Sequence, residues 1–178
     1  MKIRRGTFET NSSSTHSIAI SKEKVNIPKG SIIKFHIGEY GWKEAEYAFP
    51  DYMYTALLDN RDFKSIEKLK NILDSWGVKY EFDKPQWDGE WLIYGDVDHA
   101  DEALPIMTEI LADEDLLARA LFGDATVYTG NDNEDGEEKM SRCAEPYIWG
   151  YDEEKKEGFN YPNPNHNSDK FDYFFKGN

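Results

Sequence analysis

Cysteine is nearly absent: Cys143 stands alone among 178 residues, so no intrachain disulfide can form and a cysteine-based zinc cluster is excluded. Long apolar stretches are missing too. None exceeds five residues, against the ~20 that span a bilayer, and the segment after Met1 lacks the apolar core of a secretory signal. A soluble, intracellular protein is the expectation. Positive charge is scarce, with 21 Lys and Arg against 35 Asp and Glu, a formal charge of −14. That balance excludes a protein that coats duplex DNA through a general positive field. Repeats at solenoid periods are also lacking.

Aromatic residues, by contrast, are plentiful. Five Trp, eleven Tyr and ten Phe supply bulky core material that an acidic disordered chain would not carry. The charge is also unevenly placed. Residues 1–34 hold seven basic and two acidic side chains (+5), residues 35–100 seven and fourteen (−7), and residues 101–178 seven and nineteen (−12). A body of about −19 thus follows a basic opening segment.

Hydrophobic spacing predicts one α+β domain over residues 1–178, a mixed or antiparallel sheet flanked by helices with a loop-rich C-terminal third. Ser17–Ile20, Ser31–His36 and Lys43–Phe49 read as strands of an N-terminal antiparallel sheet. A short helix starts at Pro50-Asp51. The clearest helix has an apolar stripe of Phe63, Ile66, Leu69, Ile72, Leu73 and Trp76, with Asp62 as N-cap and Gly77 past its end. A strand follows at Val78–Phe82. Asp98 is read as the N-cap of a helix holding Leu104, Met107, Ile110 and Leu111, with Pro105 in its first turn, and Asp113 as the cap of a helix ending at Gly123. Ala125–Tyr128 and Phe171–Phe175 read as further strands. Trp87, Trp91 and Tyr94, around the Asp88-Gly89 turn signal, are expected to pack in the core, with ligand stacking the lesser alternative. Residues 131–170 form an acidic, loop-rich segment.

Two regions are candidate sites. Between Thr10 and Ser17, seven of eight residues carry a hydroxyl or amide. Arg4, Arg5, Ser12, Ser13, Ser14 and His16 are therefore candidate anion ligands, though the same side chains also make self-satisfied turns. The segment lacks the glycines and the Gly-Lys-Ser/Thr ending of a P-loop. The second region is acidic: Asp132, Glu134, Asp135, Glu137 and Glu138, with Asp152, Glu153 and Glu154 as a further patch, are candidate contacts for a basic partner surface. An EF-hand reading of Asn131, Asn133, Asp135 and Gly136 fails, because Arg142 falls where the bidentate Glu must stand. The histidines at 16, 36, 99 and 166 form no metal-binding pair by spacing, and neither a metal nor a cofactor is expected.

The run Ile3-Arg4-Arg5-Gly6-Thr7-Phe8-Glu9-Thr10-Asn11-Ser12-Ser13-Ser14-Thr15-His16-Ser17 resembles the opening of small proteins from bacteriophages and mobile elements of gut bacteria, which share an Arg-x-Gly-x-Phe-x-x-Asn-Ser-Ser-Ser start. The likeness covers about the first tenth of the chain. It implies a phage or mobile-element setting in a host cytoplasm, where small acidic proteins resemble inhibitors of host nucleases, including anti-CRISPR proteins.

Two classes of function follow. The leading expectation is a non-enzymatic, acidic inhibitor that occupies the basic nucleic-acid-binding surface of a host protein such as a CRISPR nuclease, as a DNA mimic. A weak nucleic-acid contact through Lys2, Arg4 and Arg5 would be compatible with it. The alternative is a small phosphate- or nucleotide-handling enzyme whose pocket is built from Arg4, Arg5, Ser12, Ser13, Ser14 and His16.

Overall fold

The apolar run around Ser17–Ile20 becomes an eight-residue strand, β1 (Ser14–Ser21). The computed structural model describes residues 14–41, 43, 45–131, 147–152, 154–164 and 166–176. After β1 come β2 (Ile32–Phe35), β3 (Glu39–Tyr40), β4 (Ala45–Ala48), α1 (Phe49–Asp59), α2 (Phe63–Trp76), β5 (Lys79–Phe82), β6 (Gln86–Asp88), β7 (Trp91–Ile93) and β8 (Asp96–Val97). The chain continues through α3 (Ala100–Ala112), α4 (Glu114–Phe122), β9 (Ala125–Asn131), β10 (Tyr147–Asp152), β11 (Glu157–Pro162) and β12 (Phe171–Lys176). The α+β class expected from the sequence is the class observed.

The main sheet is antiparallel throughout, in the order β12-β1-β9-β4. Ile18 lies between Val127 of β9 and Phe174 of β12, and these side chains face α1 and α4 with Ile20. On the opposite face Ser17, Ala19 and Ser21 of β1 sit beside Phe175, Tyr173 and Phe171. Ser17 and Ala19 are buried there, and His166 stacks on Tyr173 with ring centroids 4.1 Å apart.

The expected sheet of three N-terminal strands does not form. β1 pairs with strands near residues 127 and 174, β4 pairs with β9, and β2 pairs parallel with β5 across a connection that holds β3, β4, α1 and α2. Alternation in a strand says which side chains share a face; it carries no information about the neighbouring strand.

Helix α1 is buried almost all round, through Phe49, Tyr52, Met53, Tyr54, Thr55, Ala56, Leu57 and Leu58, so it is a central core element rather than an amphipathic surface helix. Pro50 occupies its first turn, where the missing N–H costs nothing. Helix α2 buries only Ile66, Leu69, Ile72 and Leu73. Its Asp62 cap accepts Ser65 N–H at 3.1 Å, and its end is a Schellman closure. Gly77 sits at φ +69, its N–H bonds Asp74 O at 3.0 Å, and Val78 N–H bonds Leu73 O at 3.0 Å.

Helix α3 departs from expectation at both its cap and its proline. His99, left-handed at φ +53, precedes the helix in place of Asp98, and Pro105 is the sixth helical residue rather than a first-turn one. Tertiary contacts anchor the first turns of the helix: Ala103 is fully buried, and Asn60 Nδ2 donates to Ala100 O at 2.7 Å. Those contacts outweigh the lost backbone bond at Pro105. Asp113 caps α4 as expected, accepting the N–H groups of Asp115 and Leu116 at 3.0 and 3.1 Å.

Candidate functional site

Strands β3 and β8 are two residues each and run parallel, which places Glu39 directly beside Asp96. Asp96 N–H donates to Gly38 O at 3.0 Å and Asp98 N–H to Tyr40 O at 2.8 Å. The carboxylates of Glu39, Asp96 and Asp98, with Tyr40, Gly41, Lys43 and Tyr47, line an open cleft of about 420 Å³. Asp59, the last residue of α1, reaches the same region and accepts Val97 N–H at 3.1 Å.

Crowding of like charge has an electrostatic consequence. Partial burial, then Asp59, Asp98 and Glu39 in that order, push the Asp96 carboxyl above the ordinary carboxylate range. Burial raises Asp59 as well, opposed by the Val97 N–H bond. Below the cleft, burial and the nearby Asp51 drive the Tyr40 hydroxyl upward, and Thr55 hydrogen-bonds to it. The Tyr40 ring meets Tyr47 and Tyr52 edge-on at 4.8 and 5.2 Å. The cleft therefore offers ionisable carboxylates over neutral phenol rings, a setting suited to an ammonium or guanidinium group. Among the described residues, no group of three His, Cys, Asp or Glu side chains has the arrangement of a metal site.

Next along the chain stands the β6–β7 hairpin, closed by the two-residue turn Gly89-Glu90. Trp87 and Leu92 are opposite one another and point inward, Leu92 buried and Trp87 half-buried. Arg61 lies over the Trp87 ring, 5.1 Å from its centroid, and donates to Gly89 O at 3.2 Å. Trp91, opposite Asp88 on the outer face, is 79% exposed, and Tyr94 is 78% exposed at φ +60. The expectation that Trp91 and Tyr94 pack in the core is thus corrected. Gly95 explains part of it. A Cβ at that position would collide with Ile37 and Leu92, so the buried backbone itself fills the space and the neighbouring ring turns outward. The hairpin turn was the available signal: with Asp88 and Trp91 flanking two turn residues, an inward Leu92 requires an outward Trp91.

The residues singled out from the sequence are placed as follows. Arg4, Arg5, Ser12 and Ser13 lie outside the described residues, as do Asp132, Glu134, Asp135, Glu137, Glu138 and Glu153. Ser14 opens β1 and His16 follows in it, both 1% exposed. His16 Nδ1 and Tyr52 Oη are hydrogen-bonded at 2.8 Å, so this histidine faces α1 in the core. Asp152 ends β10, across the hairpin from Glu157, and Glu154 is exposed in the turn between β10 and β11. The acidic cleft and the exposed hairpin aromatics belong to neither of the regions chosen from the sequence.

No helix among the described residues is long and apolar enough to cross a membrane. No protein-family model, no curated protein and no solved structure matches this chain.

Proposed function

We propose that this chain is a non-enzymatic interaction protein that engages the basic nucleic-acid-binding surface of another protein and keeps nucleic acid from it. The observation that carries the reading is the charge partition: residues 35–178 amount to about −19, set against +5 in residues 1–34. Carboxylates held on a folded domain compete with phosphates for the same Lys and Arg side chains, and they release the counterions that nucleic acid would release. The gathering of Glu39, Asp96 and Asp98 in one cleft, with Asp59 near Asp96, supports it, because a cationic partner would relieve the repulsion that adds to burial in raising Asp96. The likeness of the opening segment to phage and mobile-element proteins makes a host protein such as a CRISPR nuclease the partner to test first.

The test is capture of host proteins on the immobilised full chain, followed by elution with DNA and, separately, with salt. The expected result is retention of a nucleic-acid-binding protein that either DNA or salt displaces. Retention that neither displaces, or a captured set free of nucleic-acid-handling proteins, would overturn the reading. Reversing Asp132, Glu134, Asp135, Glu137 and Glu138 to lysine, with Glu154→Lys as a separate variant, measures how much of the contact the acidic patches chosen from the sequence supply.

A further inference from the structure

The β6–β7 hairpin carries aromatic surface that the core does not use. A Trp or Tyr side chain buries roughly 150–250 Å² when packed, yet Trp91 and Tyr94, three positions apart, remain almost wholly in water. Carboxylates outnumber cations around them, although Arg61 lies over Trp87 and Lys43 lines the neighbouring cleft. Residues 86–98 contain Asp88, Glu90, Asp96 and Asp98 and no lysine or arginine. Asp88 stands across the hairpin from Trp91, and Asp96, two residues after Tyr94, belongs to the wall of the acidic cleft.

We propose that Trp91 and Tyr94, together with Asp88, Glu90, Asp96 and Asp98, form a docking surface for an arginine- and lysine-bearing segment of a partner protein. The proposal rests on the function proposed above and assigns it a contact surface. The faces of the two rings attract a guanidinium through their quadrupoles, the aliphatic stem of the same side chain packs on them, and the flanking carboxylates take its N–H groups. The molecule already contains one such arrangement, the Arg61 guanidinium over Trp87 of the same hairpin. Charge decides between occupants. Nucleic-acid bases would stack on the same rings, but four carboxylates would repel the phosphates that accompany them. Two copies meeting through this hairpin would bring like charges face to face.

The test is fluorescence polarisation of a fluorescein-labelled arginine–glycine repeat peptide against the full chain at low and raised salt, with a glutamine–glycine peptide as its neutral control. The arginine peptide is expected to bind, and to bind less well as salt increases. Trp91→Ala should weaken binding by roughly 30-fold and Tyr94→Ala by about tenfold, as central aromatic contacts do. The pair Asp88→Asn with Glu90→Gln should weaken it more than Glu109→Gln with Asp169→Asn, which removes the same charge from exposed sites elsewhere. Both aromatic residues are exposed, so unchanged circular dichroism is expected to accompany these losses. If the peptide binds and the aromatic variants bind equally well, the surface is elsewhere while the acidic reading stands. If the peptide does not bind even at low salt, the docking surface is overturned, while the capture experiment decides the acidic reading separately. A single-stranded oligonucleotide retained through Trp91, or self-association in sedimentation that Trp91→Ala abolishes, would replace the proposed occupant.

Discussion

His16 on β1 and Tyr52 on α1 are joined by a 2.8 Å hydrogen bond between Nδ1 and Oη, across the interface between the main sheet and the central helix. Both side chains are 1% exposed, and their rings meet edge to face at 5.6 Å. Tyr52→Phe keeps the ring and removes the oxygen. The expected outcome is a loss of about 1–2 kcal/mol in urea unfolding, since a buried polar group loses a partner at constant packing. An unchanged midpoint would mean that the bond contributes nothing net.

Arg119 ties three elements together. From α4 its Nη1 donates to Asp172 Oδ2 on β12 at 2.8 Å and to Ser21 O on β1 at 2.9 Å, while Nε donates to Asp115 at 3.1 Å. The side chain is only 11% exposed. Arg119→Met, which retains most of the apolar stem, is expected to destabilise the fold by about 2–4 kcal/mol, because Asp172 and the Ser21 carbonyl lose a charged donor. Asp115→Asn should cost well under 1 kcal/mol, since its carboxylate is largely exposed. Chemical denaturation of the two variants checks the ordering.

The raised Asp96 carboxyl makes a pH-dependent prediction. In the window between the ordinary Asp value and the higher folded value, the native state binds more protons than the unfolded chain, so stability falls as pH rises. At neutral pH the ionised group carries that full unfavourable contribution. Asp96→Asn should therefore raise the melting temperature at pH 7, with the gain shrinking as pH falls through the window and vanishing below the ordinary Asp value. Removing the like charge opposite Glu39 is expected to contribute on the order of 0.5 kcal/mol. A gain that is constant with pH would assign the effect to something other than the carboxyl's ionisation.

Pro105 is exposed and sits within α3, where its ring cannot donate to the preceding turn. Pro105→Ala is expected to stabilise the protein by roughly 1–2 kcal/mol, the helix-propensity gain reduced by the greater freedom of the unfolded chain. Thermal unfolding measures it, and a drop in melting temperature would show that the ring is needed in α3.

Local signals were legible wherever local chemistry is sufficient. Helix α2 followed from the spacing of Ile66, Leu69, Ile72 and Leu73 between an Asp62 cap and a Gly77 end, and α4 from Asp113, because capping and periodicity are satisfied within one element. The α+β class and most strand positions followed in the same way. Strand partners did not: Ile18 alternates just as it would beside β2, and only packing against Val127 and Phe174 places β1 between β9 and β12. The same limit applies to the candidate site. Trp91-Leu92-Ile93-Tyr94 has the composition of a buried strand, and what turns two of its four side chains into water is the hairpin register together with the tight passage of Gly95 against Ile37 and Leu92. Charge along the chain was determined by the sequence alone. Which carboxylates meet one another was decided by β3 pairing with β8, since electrostatic crowding depends on distances in space, and those exist only once the chain has folded.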